Sequence, residues 1–151
     1  PTLADYVTMY PAHKNLIAKM QKSITFHGYV TNSQVREYLR QSDFQVFFRD
    51  VTLANKAGFP TKLSESISSG VPAITTELNG IVRYLDAPFI FACETGDENA
   101  ILDYCIKLTR VEKNKLKDMA YKSNLFYFAN YRKCAIKFFK QLGFDESYTN
   151  C

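Results

Sequence analysis

The residues with the clearest chemical potential form the run Gly58-Phe59-Pro60-Thr61-Lys62-Leu63-Ser64-Glu65. Gly58 and Pro60 punctuate a loop. The polar-apolar segment after them predicts a helix, and Gly70 with Pro72 ends that helix before a short strand, Ala73–Thr76. A helix N-terminus presents backbone N–H groups without intrahelical acceptors and the positive end of the peptide dipole, an arrangement suited to phosphate. Gly58 lets a ligand approach the backbone, and Lys62 adds a positive charge at the helix start. One turn further in, the Glu65 carboxylate has the chemistry to accept two hydrogen bonds from a ribose diol. It equally fits a plainer role, complementing the helix dipole.

The elements that must position these residues follow from periodicity. Residues 6–10, Tyr-Val-Thr-Met-Tyr before Pro11, read as a strand, and residues 12–21 as a helix with Leu16, Ile17 and Met20 on one face. Residues 24–27 read as a second strand closed by Gly28. A loop through Val30 and Asn32 leads to a helix capped by Ser33, with Val35, Tyr38 and Leu39 on its apolar face. Residues 42–48 predict a turn into a buried strand, and residues 49–56 a long loop. The Asn79-Gly80 pair marks a turn, followed by a short helix, an apolar strand at residues 89–92 and a helix begun by Asp97 or Thr95. That helix carries Ile101, Tyr104, Cys105 and Leu108 on its apolar face. Two more helices are expected, at residues 111–128 and 131–142, the latter with a stripe of Ala135, Ile136, Phe139 and Leu142 and a frayed end over 143–151. Strands alternating with helices imply an α/β fold, a doubly wound Rossmann-like parallel sheet with helices on both faces.

Length and composition set the class. At 151 residues the chain is expected to be a single domain, and 46% hydrophobic with 23% charged residues excludes disorder as the main reading. No run approaches membrane-spanning length, and the start at Pro1 lacks a signal-peptide layout, so a soluble, cytoplasmic chain is expected, although a start without methionine also fits a piece excised from a longer parent. The net charge of +4 is too mild for nucleic acid, which is not expected as a partner, and mildly favours an anionic ligand or membrane surface. Cys93, Cys105, Cys134 and Cys151 have no Cys-x-x-Cys spacing and no histidine cluster beside them, so neither a metal site nor a redox pair is expected. His27 reads as a strand-end histidine rather than a general base. Lys133, Lys137 and Lys140 with Phe138 and Phe139 suit either peripheral contact with an anionic membrane or a packed helix with a solvated basic face.

The run from Gly58 to Glu65, followed by Ser69-Gly70-Val71-Pro72-Ala73-Ile74, resembles the nucleotide-sugar signature in the C-terminal domain of family 4 (group 1) retaining glycosyltransferases, enzymes of the GT-B fold. The similarity extends more loosely from about Tyr6 to about Leu142. The resemblance implies a donor-binding half of an enzyme, of hexosyltransferase type, that transfers a sugar from a nucleotide diphosphate with retention, in polysaccharide or glycolipid synthesis. No cofactor or metal is implied, and UDP is the expected donor nucleotide. By the same resemblance the backbone of Thr61, Lys62 and Leu63 with the Lys62 ammonium would meet the diphosphate, Gly58, Phe59 and Pro60 would line the donor site, and Glu65 would hold the ribose. Val30 and Asn32 are candidates for the base edge or ordinary loop residues, and Arg49 is a candidate anion contact or a solvated cation. Asp43 corresponds to a structural turn residue, and residues 77–85 resemble the family's Gly-containing turn and short helix facing the cleft.

Two departures stand out. The family often has a second glutamate eight residues before the ribose-binding one, against the donor sugar; here that position is Ala57. The opening strand and helix that carry the diphosphate-gripping Arg and Lys, and the N-terminal acceptor-binding domain, have no counterpart in these residues. Transfer is therefore expected of a longer parent chain and not of this segment alone. Two other classes stay open: a nucleotide-sugar-binding or regulatory module without transfer, favoured by Ala57, and a flavodoxin-like interaction domain.

Overall fold

The computed structural model describes residues 2–20 and 22–143. The expected fraying falls mainly on residues 144–151, and Cys151 with it, outside the described residues. The chain divides at Tyr38/Leu39 into two units.

The first unit is helical, which corrects the strand expected at residues 6–10. Helix α1 spans Leu3–Met9. The Thr2 hydroxyl accepts from the Asp5 N–H (3.2 Å) while the Asp5 carboxylate accepts from the Thr2 N–H (2.6 Å). This reciprocal box satisfies two orphan donors at the helix start and outweighs the β preference of Tyr, Val and Thr. It also holds the Asp5 carboxyl below the usual carboxylate range. A 3-10 turn, Pro11–His13, leads into α2, Lys14–Met20. The Tyr6 and Tyr10 rings pack with His13, and Tyr6 also meets Phe26. The strand expected at residues 24–27 is also absent: the segment joins no ladder and runs as irregular chain, with His27 stacked on Tyr38 at 4.0 Å. Helix α3, Asn32–Gln41, begins one residue before the expected cap. Thr31, not Ser33, takes that role, because Gln34 three residues on answers the Thr31 N–H at 2.9 Å while Thr31 accepts the Gln34 N–H.

The second unit holds a parallel three-stranded sheet in the order β1 (Gln45–Phe47), β2 (Ala73–Thr76), β3 (Ile90–Cys93). Gln45, Ala73 and Ile90 are in register, so Phe47, Ala73 and Ile90 share one face while Val46, Ile74 and Phe91 share the other. Helix α5, Thr61–Ser68, and α7, Arg110–Ser123, cover the first face. The core there joins Phe47, Leu63, Ile67, Leu78, Ile81, Tyr84 and Ala120. Helix α6, Glu98–Lys107, covers the second with buried Cys105. The expected α/β architecture, a parallel sheet with helices on both faces, is the one observed.

Four further expectations are adjusted. The segment at residues 49–56 is not a continuous loop, since Thr52 caps a short helix α4, Leu53–Ala57, with its hydroxyl 3.2 Å from the Asn55 N–H. On α6, Cys105 is buried but Tyr104 is exposed, and Asp97 makes no side-chain cap bond. The helix expected to reach Phe128 stops at Ser123, where Asn124 adopts the left-handed conformation (φ 49°). Helix α8, Arg132–Gln141, buries none of its residues fully, so its apolar stripe is not a core face among the described residues.

Asp43, before β1, pairs with Arg110 (3.4 Å) and Lys113 (3.7 Å) of α7. The Lys117 ammonium donates to the carbonyls of Arg40 (3.0 Å) and Ser42 (2.8 Å). These contacts fasten α7 to the chain entering the sheet. No helix among the described residues is long and apolar enough to cross a membrane.

Candidate functional site

In a parallel sheet, ligands meet the loops beyond the carboxyl ends of the strands. Here those loops run after Phe47, Thr76 and Cys93. The first is anchored by the Arg49 N–H on the Thr76 hydroxyl (3.0 Å), so Arg49 sits half-buried at this end of the sheet. The second and third are tied by the Glu77 N–H on the Cys93 carbonyl (2.8 Å).

Helix α5 opens at Pro60, which is buried and extended (φ −74°, ψ 104°). Proline lacks an N–H and no side chain caps the helix, leaving its first turn open. The Leu63 N–H bonds to the Pro60 carbonyl at 2.9 Å, so the donors of Thr61 and Lys62, ahead of it, are the ones geometry leaves for a ligand. The side chains divide by face: Thr61, Lys62 and Glu65 are exposed, while Leu63, Ser66 and Ile67 are buried. The Leu63 side chain packs into the core. Glu65 is the fifth helical residue and lies beyond the acidic-first-turn position that a dipole-complementing role needs. The far end of α5 is fixed by two bonds, Val71 N–H to Ser66 carbonyl and Gly70 N–H to Ile67 carbonyl, both 3.0 Å. This is the Schellman closure, and it requires the left-handed Gly70 (φ +73°).

The loop before α5 lines a cleft of about 490 Å³ together with Asn79, Gly80, Val82 and Arg83. Ala57 is exposed on its wall, without a carboxylate. Gly58 has ordinary extended backbone (φ −97°, ψ 155°), so its own conformation does not demand glycine. The close approach is made by Gly80: a Cβ there would lie 2.7 Å from the Gly58 carbonyl oxygen. Phe59 packs edge-on against Tyr84 and Phe126 (5.9 and 5.6 Å) and is thereby part of an aromatic cluster. Asn55 donates its side-chain amide to the Asp50 carbonyl (2.8 Å), which fastens the turn before α4. A second cleft of about 400 Å³ adjoins the first through shared Asn79 and Val82 and is bordered by Val51, Glu77, Glu94 and Thr95 at the strand ends.

The structure thus brings Gly58 to Glu65 together at one end of the second unit, with Arg49 on the loop leaving β1. Val30, half-buried, and Asn32, the first residue of α3 and exposed, belong to the first unit. Asn32 is helical, contrary to the expected loop. Asn79, Gly80 and Arg83 lie in the segment that resembles the family's turn and short helix facing the cleft, though none of the three is a site residue expected from sequence; the meeting of Gly80 with Gly58 is a tertiary contact. Among the thiols, burial pushes Cys105 up to about 11, and burial followed by the nearby charges of Glu98 and Asp97 raises Cys93.

A family model described as "Glycosyl transferases group 1" matches residues 7–110. The chain is also 30% identical over 112 residues to N-acetyl-alpha-D-glucosaminyl L-malate synthase of Bacillus anthracis; the alignment covers 72% of this chain and 26% of that protein. The chain therefore spans about a quarter of the length of this relative. No solved structure gives a significant match. With two thirds of its residues under the family model and its sheet, crossover helix and strand-end clefts in place, the chain belongs to the group 1 glycosyltransferases.

Proposed function

We propose that this chain supplies the donor-binding half of a retaining glycosyltransferase that takes sugar from a nucleoside-diphosphate donor, UDP being the favoured nucleotide. The observation that carries the reading is α5, whose uncapped first turn exposes Thr61 and Lys62 while Glu65 projects from the next turn on the same exposed face. As the bond to the leaving diphosphate breaks, charge grows on its oxygens. N–H dipoles fixed before the reaction and the Lys62 ammonium stabilise that charge more than the ground state. Glu65 serves binding, accepting the ribose hydroxyls, and takes no part in proton transfer. Arg49 is a further cation for the donor, and Val30 and Asn32 are the residues proposed for the base edge. The acceptor is bound by a separate N-terminal domain. The enzyme works in the cytoplasm in polysaccharide or glycolipid assembly, with α8 as its point of peripheral membrane contact, and needs no cofactor.

Ala57 favours one competing reading, a nucleotide-sugar-binding module without transfer, because the cleft wall there offers no hydrogen-bond acceptor to a sugar hydroxyl. Calorimetric titration with UDP, GDP and ADP, with Glu65→Ala as the control, tests the donor site. One nucleotide binds, and the variant weakens it by roughly 1–3 kcal/mol, the scale of a lost charged hydrogen bond. Equal binding by both proteins removes the role given to Glu65. Sugar transfer by the longer parent separates enzyme from module.

A further inference from the structure

We infer that Arg83 is an oxyanion ligand of the cleft beside Ala57, gripping either the donor's diphosphate or a carboxylate on its sugar. The inference rests on the donor-site reading above and deepens it.

Arg83 lies in the 3-10 turn Val82–Tyr84 and lines the cleft with Ala57, Gly58 and Asn79. It supplies the one charged side chain among the described residues lining that cleft, while Glu77 and Glu94 border the adjoining one. Among the described residues Arg83 forms no ion pair. Its guanidinium is nevertheless held: it lies over the Tyr84 ring, 4.7 Å from the centroid. That ring is fixed in turn, 8% exposed, with Phe126 at 5.0 Å and Phe59 at 5.9 Å. A long exposed side chain ordinarily loses rotamer freedom on gripping a ligand, and stacking the cation on a buried ring removes part of that cost beforehand. A cation–π contact of this kind uses no N–H donor in an ion pair, and the guanidinium's fork of N–H donors matches the paired oxygens of a carboxylate or phosphate. The Arg83 charge also reaches Tyr131, where it opposes the upward pull of burial and of the Tyr84 hydroxyl on that phenol.

The test uses whichever of UDP, GDP and ADP binds, together with its glucose and glucuronate conjugates, titrated into the wild-type chain, Arg83→Gln and Arg83→Lys. About a tenfold or greater loss of affinity in Arg83→Gln is expected, the scale of a charge-assisted hydrogen bond, with partial recovery in Arg83→Lys. A loss shared by all three ligands assigns the diphosphate, and a loss confined to the glucuronate conjugate assigns the sugar carboxylate. Thermal midpoints of the variants within about 2 °C of wild type exclude unfolding as the cause, and Arg83→Lys serves as the reporter if Arg83→Gln falls outside that range. Affinities indifferent to Arg83 overturn this inference alone; where the segment by itself binds none of the nucleotides, the same titrations are made on the longer parent, and a parent that binds none removes the donor-site reading and this inference together.

Discussion

The contact between Gly80 and Gly58 yields the sharpest prediction, because two glycines of one cleft should respond to the same substitution in opposite ways. In Gly80→Ala the new methyl would stand 2.7 Å from the Gly58 carbonyl oxygen and 3.4 Å from both the Gly58 carbonyl carbon and Phe59 Cα. All three are backbone atoms, so no side chain can swing aside; relief requires the loop before α5 to retreat by on the order of 0.5 Å, toward ordinary contact distance. Overpacking of this kind costs about 1–3 kcal/mol. For a chain of this size that lowers the thermal midpoint by roughly 3–10 °C. In Gly58→Ala the methyl meets the Ala54 carbonyl oxygen at 3.6 Å, an ordinary contact, on backbone that any residue adopts. Stability should hold or rise by about 0.4–1 kcal/mol, since the unfolded chain loses freedom. Nucleotide affinity should nonetheless fall in Gly58→Ala, because the methyl is added to a residue that lines the cleft. Differential scanning calorimetry paired with nucleotide titration reads both quantities. An unchanged midpoint in Gly80→Ala, or equal destabilisation by the two variants, would refute the reasoning.

Other expectations follow from single features. Ser66→Ala removes the buried hydroxyl bond to the Val71 carbonyl (2.8 Å) and should cost about 1–2 kcal/mol in urea denaturation, with the slope unchanged. Thr109→Ala breaks the reciprocal cap of α7, in which the Glu112 carboxylate accepts from the Thr109 N–H and hydroxyl, both at 2.7 Å. Those bonds lower the Glu112 carboxyl, so the Thr109→Ala deficit in midpoint should be full near pH 7 and shrink as pH falls through the carboxylate range. Cys105, raised from 9.0 to about 11, favours the folded state fully below pH 9 and ceases to do so as pH rises toward 11, a loss of roughly 2–3 kcal/mol. Cys105→Ala should flatten that alkaline limb. Mass mapping after brief alkylation of the native protein should find exposed Cys134 labelled ahead of Cys93 and Cys105.

The stretch from Pro60 to Thr76 was legible because its signals are local. Gly, Pro and a polar-apolar helix within twenty residues fix a loop, a helix and a strand without distant partners, and β2 has the expected bounds. The helix expected at residues 12–21 is present as Lys14–Met20, whereas the two strands expected around it fail for the converse reason. Tyr6, Val7 and Thr8 favour strand, yet the Thr2–Asp5 box holds them helical, and residues 24–27 have strand composition but join no ladder. A strand needs a neighbour, and composition does not name one. The same limit hid Arg83: its docking on Tyr84 depends on Phe59 and Phe126, far apart in sequence. Glu65 lies in the expected helix, and its position in the second turn does not support the alternative of a dipole complement.

Helix α5 keeps its two duties on separate faces, and this has a bearing on how such a chain can change. Leu63, Ser66 and Ile67 anchor the fold, whereas Thr61, Lys62 and Glu65, like Ala57 just upstream, lie in solvent. Replacing an exposed residue away from caps and cores shifts stability by only about 0.5 kcal/mol. The exchange of a carboxylate for a methyl group at position 57, or its reversal by Ala57→Glu, is therefore nearly invisible to folding. Descendants of such a chain can gain or shed sugar contacts by single steps that never pass through a poorly folded intermediate, so catalytic capacity and structural integrity are free to drift apart.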